Sequence, residues 1–170
     1  MNIATTRFGE IDVDETKIIE MRGGIIGFEH LKKYILHIKD EKNPFWWFQS
    51  LDDGAIAFVV INPFTVKTDY EPVIDDNDTK LLEIENAEDV VLLTIVTIRQ
   101  TPFSVSVNLR APIVVNAKKK IAKQVVLEDP AYPVRYYLTK PGSDDEVSTV
   151  GDNKKRNNCE GPCEKQTRAI

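Results

Sequence analysis

The sequence predicts an all-β, mainly antiparallel fold: a compact, β-barrel-like single domain with one or two short helices. Short apolar segments alternate with turn residues, and within many of them the apolar side chains recur with a period of about two. The connections are also too short for the crossovers of a parallel sheet. With 170 residues and a hydrophobic content of 42%, the chain is long enough for one domain with a substantial core.

Two segments have the pattern of strands with one buried face. In residues 34–39, Tyr34, Leu36 and Ile38 share a face, which is predicted to be the buried one. In residues 104–108, two valines alternate with polar residues in the same manner.

Residues 121–127 resemble a further strand, but Lys123 falls on the face of Ile121 and Val125. A cation among apolar neighbours indicates a bulge, a barrel rim or a strand that begins elsewhere.

Two other segments, residues 55–61 and 90–96, are apolar at nearly every position. Such strands are predicted to be central, and in an all-β domain their second face needs cover from a helix or another sheet. A short helix is predicted at residues 78–83, with Asp78 as its capping residue. Residues 28–33 have room for one further turn.

Four large rings occur in succession at residues 45–48, FWWF. A strand sends two of them to each face, so one pair is predicted to fill the core. The other pair lies either under a helix or in an exposed patch of the kind that binds other proteins.

The chain is predicted to divide into a β domain at residues 1–138 and a polar, flexible tail at 139–170. The tail has no aromatic residue and balances six acidic against six basic side chains, so it lacks the apolar area that offsets chain ordering. It holds the two cysteines, Cys159 and Cys163. Two ligands do not close a metal site, so we expect no metal and a reducing, cytoplasmic compartment.

The start of the chain lacks the basic and apolar regions of a secretory signal. No stretch approaches the roughly 20 apolar residues that span a bilayer, so no membrane association is expected.

Negative charge is concentrated in residues 69–89, here called the acidic segment. Nine carboxylates and Lys80 give it a net charge of −8. Such a field repels phosphate backbones and attracts cationic partners, although a solvated loop and helix face explains the same composition. A basic cluster, Lys118–Lys120 with Lys123, is what supports the alternative of a nucleic-acid-binding barrel.

Catalytic patterns are weak. The two histidines, His30 and His37, have no Gly-framed Ser or Cys nucleophile beside them. Residues 22–27, RGGIIG, lack the glycine spacing of a nucleotide-binding loop. We therefore expect neither an enzyme nor a cofactor, and a small-barrel enzyme remains the weaker alternative.

Three motifs resemble those of the flagellar assembly factor FliW family. They are residues 57–64, AFVVINPF, with Asp69-Tyr70 downstream; residues 108–116, NLRAPIVVN, with 122–127, AKQVVL; and residues 23–28, GGIIGF, after Ile18-Ile19. The resemblance covers residues 3–138 and implies a compact antiparallel barrel with short helices.

The resemblance also implies a partner switch without catalysis. A protein of this family binds flagellin in the cytoplasm and, once flagellin is exported, binds CsrA, a basic RNA-binding repressor of flagellin translation, and relieves the repression. We expect a monomer without direct nucleic-acid binding. The candidate partner-binding residues are Asn62, Pro63, Phe64, Asp69, Tyr70, Glu71, Asp75, Asp76, Asp78, Glu85, Glu88 and Asp89. Asn62, Pro63 and Asn116 have a turn-forming role as an equal alternative.

Overall fold

The structure is a computed structural model that describes residues 1–40 and 42–141. Its strands are β1 (Asn2–Thr5), β2 (Gly9–Asp12), β3 (Ile19–Met21), β4 (Lys33–His37), β5 (Phe45–Ser50), β6 (Ala57–Ile61), β7 (Val90–Gln100), β8 (Phe103–Val107), β9 (Ile113–Asn116), β10 (Ile121–Gln124) and β11 (Tyr136–Thr139). Its helix is α1 (Asp76–Leu81), and one-turn 3-10 helices lie at Glu15–Lys17, Pro63–Thr65 and Ala87–Asp89. The predicted tail lies outside the described residues from position 142 onward.

The main sheet closes on itself. Strand β7 pairs with β6 and, near its start, with β9, which joins β7, β6, β5, β4, β3, β10 and β9 into a ring. The end of β7 continues beyond the ring and pairs with β8, which pairs with β11. Among the described strands, β3 and β10 form the one parallel pair. The predicted antiparallel, barrel-like all-β fold is confirmed.

Side chains from every strand of the ring form the barrel core. Its members include Ile19 and Met21 from β3, and Leu93 from β7. The rings of Tyr34 and Phe48 stack inside it, with centroids 4.6 Å apart. A closed ring of short strands fills its interior with side chains, so this core is packed and is not a channel.

A second cluster, the outer core, packs against the opposite face of part of the ring, chiefly strands β6, β7, β9 and β10. Strand β7 contributes Leu92 and Val96 to the outer core, whereas Leu93 points into the barrel core. Tyr70 and Leu82, from the chain between β6 and β7, cover this outer face. The apolar character of residues 90–96 on both faces therefore predicted a covered central strand correctly.

The aromatic segment 45–48 divides between the two faces of β5. Phe48 is fully buried and Trp46 packs beside it in the barrel core. Phe45 packs against the outer core on the other face. Trp47 lies against Phe8, with ring centroids 5.7 Å apart, and the Arg7 guanidinium sits 4.2 Å from its ring centroid. All four rings thus have intramolecular packing roles.

Helix α1 begins earlier than the sequence predicted. Its capping residue is Asp75, whose carboxylate accepts a hydrogen bond of 2.7 Å from the Asp78 amide. Asp78 was predicted as the cap, and that assignment is wrong. The pattern Asp75-Asp76-Asn77-Asp78 offers several side chains able to cap, so the sequence alone does not specify that the first of them does so.

The register of β10 explains the misplaced lysine at position 123. Its pairing with β9 is regular from Ile121 to Gln124, so the described ladder has no bulge there. Lys123 does share a face with Ile121 and Val125, and its ammonium group forms an ion pair with the buried Asp78. A paired cation is tolerated at this partly buried rim position because its charge is compensated.

We expect Phe48→Ala to lower the free energy of unfolding by about 3–5 kcal/mol, because it leaves a cavity among the stacked rings of the barrel core. The measurement is equilibrium urea unfolding. Ile98→Ala is the control, since Ile98 is 53% exposed, and it should change stability by no more than about 0.5 kcal/mol. Equal losses in both variants would contradict the assigned core.

Candidate protein-binding surface

The predicted contact residues Asn62, Pro63 and Phe64 form the turn that leaves β6. The side-chain carbonyl oxygen of Asn62 accepts a 3.0 Å hydrogen bond from the Phe64 amide and so caps the 3-10 helix. Pro63 occupies its first turn and is buried. Phe64 is half-buried and contacts Tyr70 edge-on, with centroids 6.1 Å apart. These residues therefore build the turn, and Phe64 keeps part of its ring at the surface.

Tyr70 belongs to the interior and does not present its ring to a partner. It is 1% exposed, and its hydroxyl donates a 2.8 Å hydrogen bond to the Leu109 carbonyl. The ring packs edge-on against Tyr132, whose hydroxyl accepts a 2.9 Å hydrogen bond from the Glu71 amide. Burial raises the pKa of the Tyr70 phenol well above its ordinary range. Tyr70 fixes the start of the acidic segment to the outer core.

Most carboxylates of the acidic segment reach solvent. The exposed members are Asp69, Glu71, Asp75, Asp76, Glu83, Glu85 and Glu88, and Asp89 is half-buried. Asp69 pairs with Lys67 at 2.8 Å, and this hydrogen bond lowers the pKa of Asp69. Apart from the pairs of Asp69 with Lys67, Glu83 with Lys119 and Asp78 with Lys123, the described residues give the segment no salt bridge. The segment therefore keeps a strong negative potential.

Two interactions anchor the helical part of the acidic segment to the barrel. Asp78 is buried and neutralised by Lys123, so its carboxylate has a structural role. Asn116 is also buried, and its amide donates hydrogen bonds of 2.9 Å and 3.0 Å to the carbonyls of Leu82 and Glu83. Its oxygen accepts from the amides of Lys118 and Lys119. These contacts agree with the turn-forming role that was the alternative predicted for Asn116.

The basic cluster does not form a uniform positive patch. Lys119 pairs with Glu83 at 3.5 Å, and Lys123 pairs with Asp78. Lys120 is partly buried at a turn, and this burial, together with nearby Lys17, lowers its pKa. Carboxylates of the acidic segment thus compensate part of the positive charge that would contact a nucleic acid.

The histidines lie apart. His30 is exposed, whereas His37 is half-buried against Phe8, with ring centroids 4.7 Å apart. In residues 1–40 and 42–141, no group of three or more His, Cys, Asp or Glu side chains is placed to hold a metal ion. None of the helices in these ranges is long and apolar enough to cross a membrane.

A groove of about 780 Å³ runs beside the acidic segment, and sequence reasoning did not find it. Its walls are parts of the chain that are distant in sequence: residues 22–29, residues 71–78 and residues 123–129. Ile26, Val73 and Val126 line it with exposed apolar side chains. Val126 was the signal in the sequence that could have indicated the groove. It is apolar although it lies on the opposite strand face from the buried Val125 and Leu127.

These features define a class: a small closed β-barrel with a strongly acidic external face and an adjoining apolar groove. Comparison with known proteins specifies the family. The model of the family described as "FliW protein" matches residues 2–138.

Individual relatives agree with this match. The chain is 58% identical over 140 residues to the flagellar assembly factor FliW of Syntrophus aciditrophicus (strain SB), covering 82% of this chain and 89% of that protein. It is 46% identical over 131 residues to the corresponding protein of Caldicellulosiruptor saccharolyticus, covering 77% and 86%. A solved crystal structure of the flagellar assembly factor FliW superposes with a TM-score of 0.74 at 36% identity, covering 82% of this chain and 98% of that one. The chain belongs to the FliW family of flagellar assembly factors.

We expect Tyr70→Phe to cost about 1–3 kcal/mol of unfolding free energy, because the buried Leu109 carbonyl loses its donor. Chemical denaturation measures the change. Tyr137→Phe is the matched control, since Tyr137 is 37% exposed and its hydroxyl should contribute less than about 0.5 kcal/mol. A Tyr70→Phe variant as stable as the control would show that this hydroxyl does not secure the acidic segment.

Proposed function

We propose that the chain binds flagellin in the cytoplasm and, when flagellin has been exported, binds and antagonises the translational repressor CsrA. In this scheme the protein acts as a monomer through contact alone, without catalysis and without contacting nucleic acid or membrane. Family membership supports the role in flagellar assembly. The observation that carries the partner assignment is the set of exposed carboxylates in the acidic segment, most of which form no salt bridge with the described residues.

Charge explains why a basic RNA-binding protein suits this face. Complementary potentials speed encounter and select among partners, and they contribute less to the final affinity. Of the carboxylates predicted to make contact, Glu71, Asp75, Asp76, Glu85 and Glu88 are exposed and have no salt bridge among the described residues. Asp69 is paired with Lys67, and Asp89 is half-buried. Both stay in the proposed set as secondary contact residues.

Fewer residues are available as the apolar anchor of this contact than the sequence indicated. Tyr70 is buried in the outer core, and Asn62 and Pro63 form the turn after β6. Phe64 is half-buried, and its accessible part remains available for an apolar contact. A surface that combines a partly exposed ring with surrounding charge has the composition of a protein interface, in which apolar anchors are rimmed by polar groups.

Reversing the charges of Asp76, Glu85 and Glu88 to lysine should reduce the association rate constant for CsrA by about tenfold at low salt, because electrostatic steering is lost. The dependence of the rate on ionic strength should flatten at the same time. Surface plasmon resonance across a series of salt concentrations measures both.

The matched control reverses Glu10, Asp12 and Glu15, which are exposed residues outside the acidic segment and give the same change in net charge. This control should retain most of the rate and of its salt dependence. If both triple variants bind CsrA like the unmodified chain, the acidic segment is not the steering surface.

The partner switch is tested by competition. Purified flagellin added to a complex of the chain with CsrA should release CsrA in proportion to the flagellin bound, as size-exclusion chromatography detects. Stable co-elution of all three proteins would contradict an exclusive switch. Recovery of neither partner would contradict the proposed function as a whole.

A further inference from the structure

One strand edge in the groove has no partner strand in the part of the chain that the structure describes. Strand β3 runs parallel to β10 only as far as Ala122, which pairs with Met21. The chain then turns away at Gly23 and Gly24, both with positive φ, of 86° and 77°. A Cβ on Gly24 would lie 2.6 Å from the Glu29 Cα, so the turn depends on glycine. Where β3 would have continued, the groove begins.

Beyond this point the extended chain after β10 is paired on one side. The amides of Val125 and Leu127 donate to the carbonyls of Pro112 and Arg110 at 2.9 Å and 2.8 Å. Within residues 1–40 and 42–141, the amide and carbonyl of Val126 have no hydrogen-bond partner. Alternate backbone groups of a strand face opposite sides, so Val126 presents an open edge.

The opposite wall of the groove also has backbone groups that are open to pairing. Residues 71–75 have no helix or strand, and in the described chain the backbone of Val73 makes no hydrogen bond. Val73, Ile26 and Val126 are 85%, 61% and 57% exposed. Apolar side chains beside unpaired backbone groups are the requirements for adding a strand to a sheet edge.

The charge of the groove limits what can occupy it. Six carboxylates and two cations line it, a net charge of −4. One of the cations, Lys123, is already paired with Asp78, and the other, Arg22, lies 3.2 Å from Glu20. An entering segment therefore gains from lysine or arginine side chains, whereas an acidic segment is repelled.

We propose that this groove receives an extended, cationic peptide segment of a partner protein, which pairs with the open edge at Val126 as an additional strand. Its apolar side chains pack against Ile26, Val73 and Val126, and its cationic side chains face Glu71 and Glu128. The inference rests on the proposed function in one respect, namely that the acidic side of the barrel is a partner surface.

The test uses the full chain, labelled with nitrogen-15, and a peptide of about six alternating lysine and valine residues, the ordinary length of a strand. Binding should shift the amide resonances of Val126 and Val73 and slow hydrogen exchange of the Val126 amide by about tenfold. The control peptide alternates glutamate with valine and should do neither. Equal effects of both peptides, or shifts confined to Glu85 and Glu88, would overturn the proposal.

Val126→Pro removes the amide that would pair with the peptide and, since that amide has no partner within residues 1–40 and 42–141, should leave the fold intact. Peptide binding should be lost in this variant, whereas Val126→Ala, which keeps the amide, should bind within about threefold of the unmodified chain. If circular dichroism shows that the proline variant is unfolded, the double variant Glu71→Lys with Glu128→Lys replaces it and should weaken binding. Undiminished binding in the folded variants would overturn the proposal.

Two further outcomes separate this inference from the proposed function. If CsrA binding falls on reversal of Asp76, Glu85 and Glu88 but Val126→Pro changes the binding of neither CsrA nor flagellin, the groove proposal fails and the proposed function stands. If neither flagellin nor CsrA binds the unmodified chain, the proposed function fails and the peptide titration still decides the groove. Concentration-dependent shifts at Val126 without peptide would show that a second copy of the chain occupies the groove, which also overturns the proposal.

Discussion

Burial of β7 on both faces is the constraint on which the rest of the structure depends. Leu93 closes the barrel core on one side, while Leu92 and Val96 require cover on the other. The chain between β6 and β7 supplies that cover through Tyr70 and Leu82, and exposed apolar area of this extent would otherwise be costly. The acidic segment is therefore held against the barrel by its apolar residues, and most of its carboxylates reach solvent as a consequence.

This arrangement makes the acidic segment a defined surface instead of a loose loop. Tyr70 fixes its start by a hydrogen bond to Leu109, and Asn116 fixes the end of its helical part at Leu82 and Glu83. A segment whose backbone is already anchored needs less ordering on association, which lowers the entropic cost of binding. The groove begins where β3 separates from β10 at two glycines. A charged wall and an open strand edge therefore lie side by side.

Much of the fold could be read from periodicity, because short strands with alternating burial leave a direct pattern in the sequence. The two-faced strand β7 and the division of the aromatic segment are examples. Single residues within the candidate site were less predictable. Tyr70 and Asp78 look like surface groups because each is polar and stands among carboxylates, yet a carbonyl on Leu109 and the ammonium of Lys123 allow both to be buried. Neither partner is near in sequence.

The sequence by itself determined the all-β class, the covered central strand, the concentration of negative charge and, through its motifs, the FliW family. These properties depend on local patterns and composition, which a linear chain displays. The tertiary structure alone decided which polar residues are buried, where helix α1 is capped, and that residues near positions 24, 73 and 126 line one groove. Such decisions depend on contacts across long sequence separations, and those contacts exist only after the ring of strands has closed.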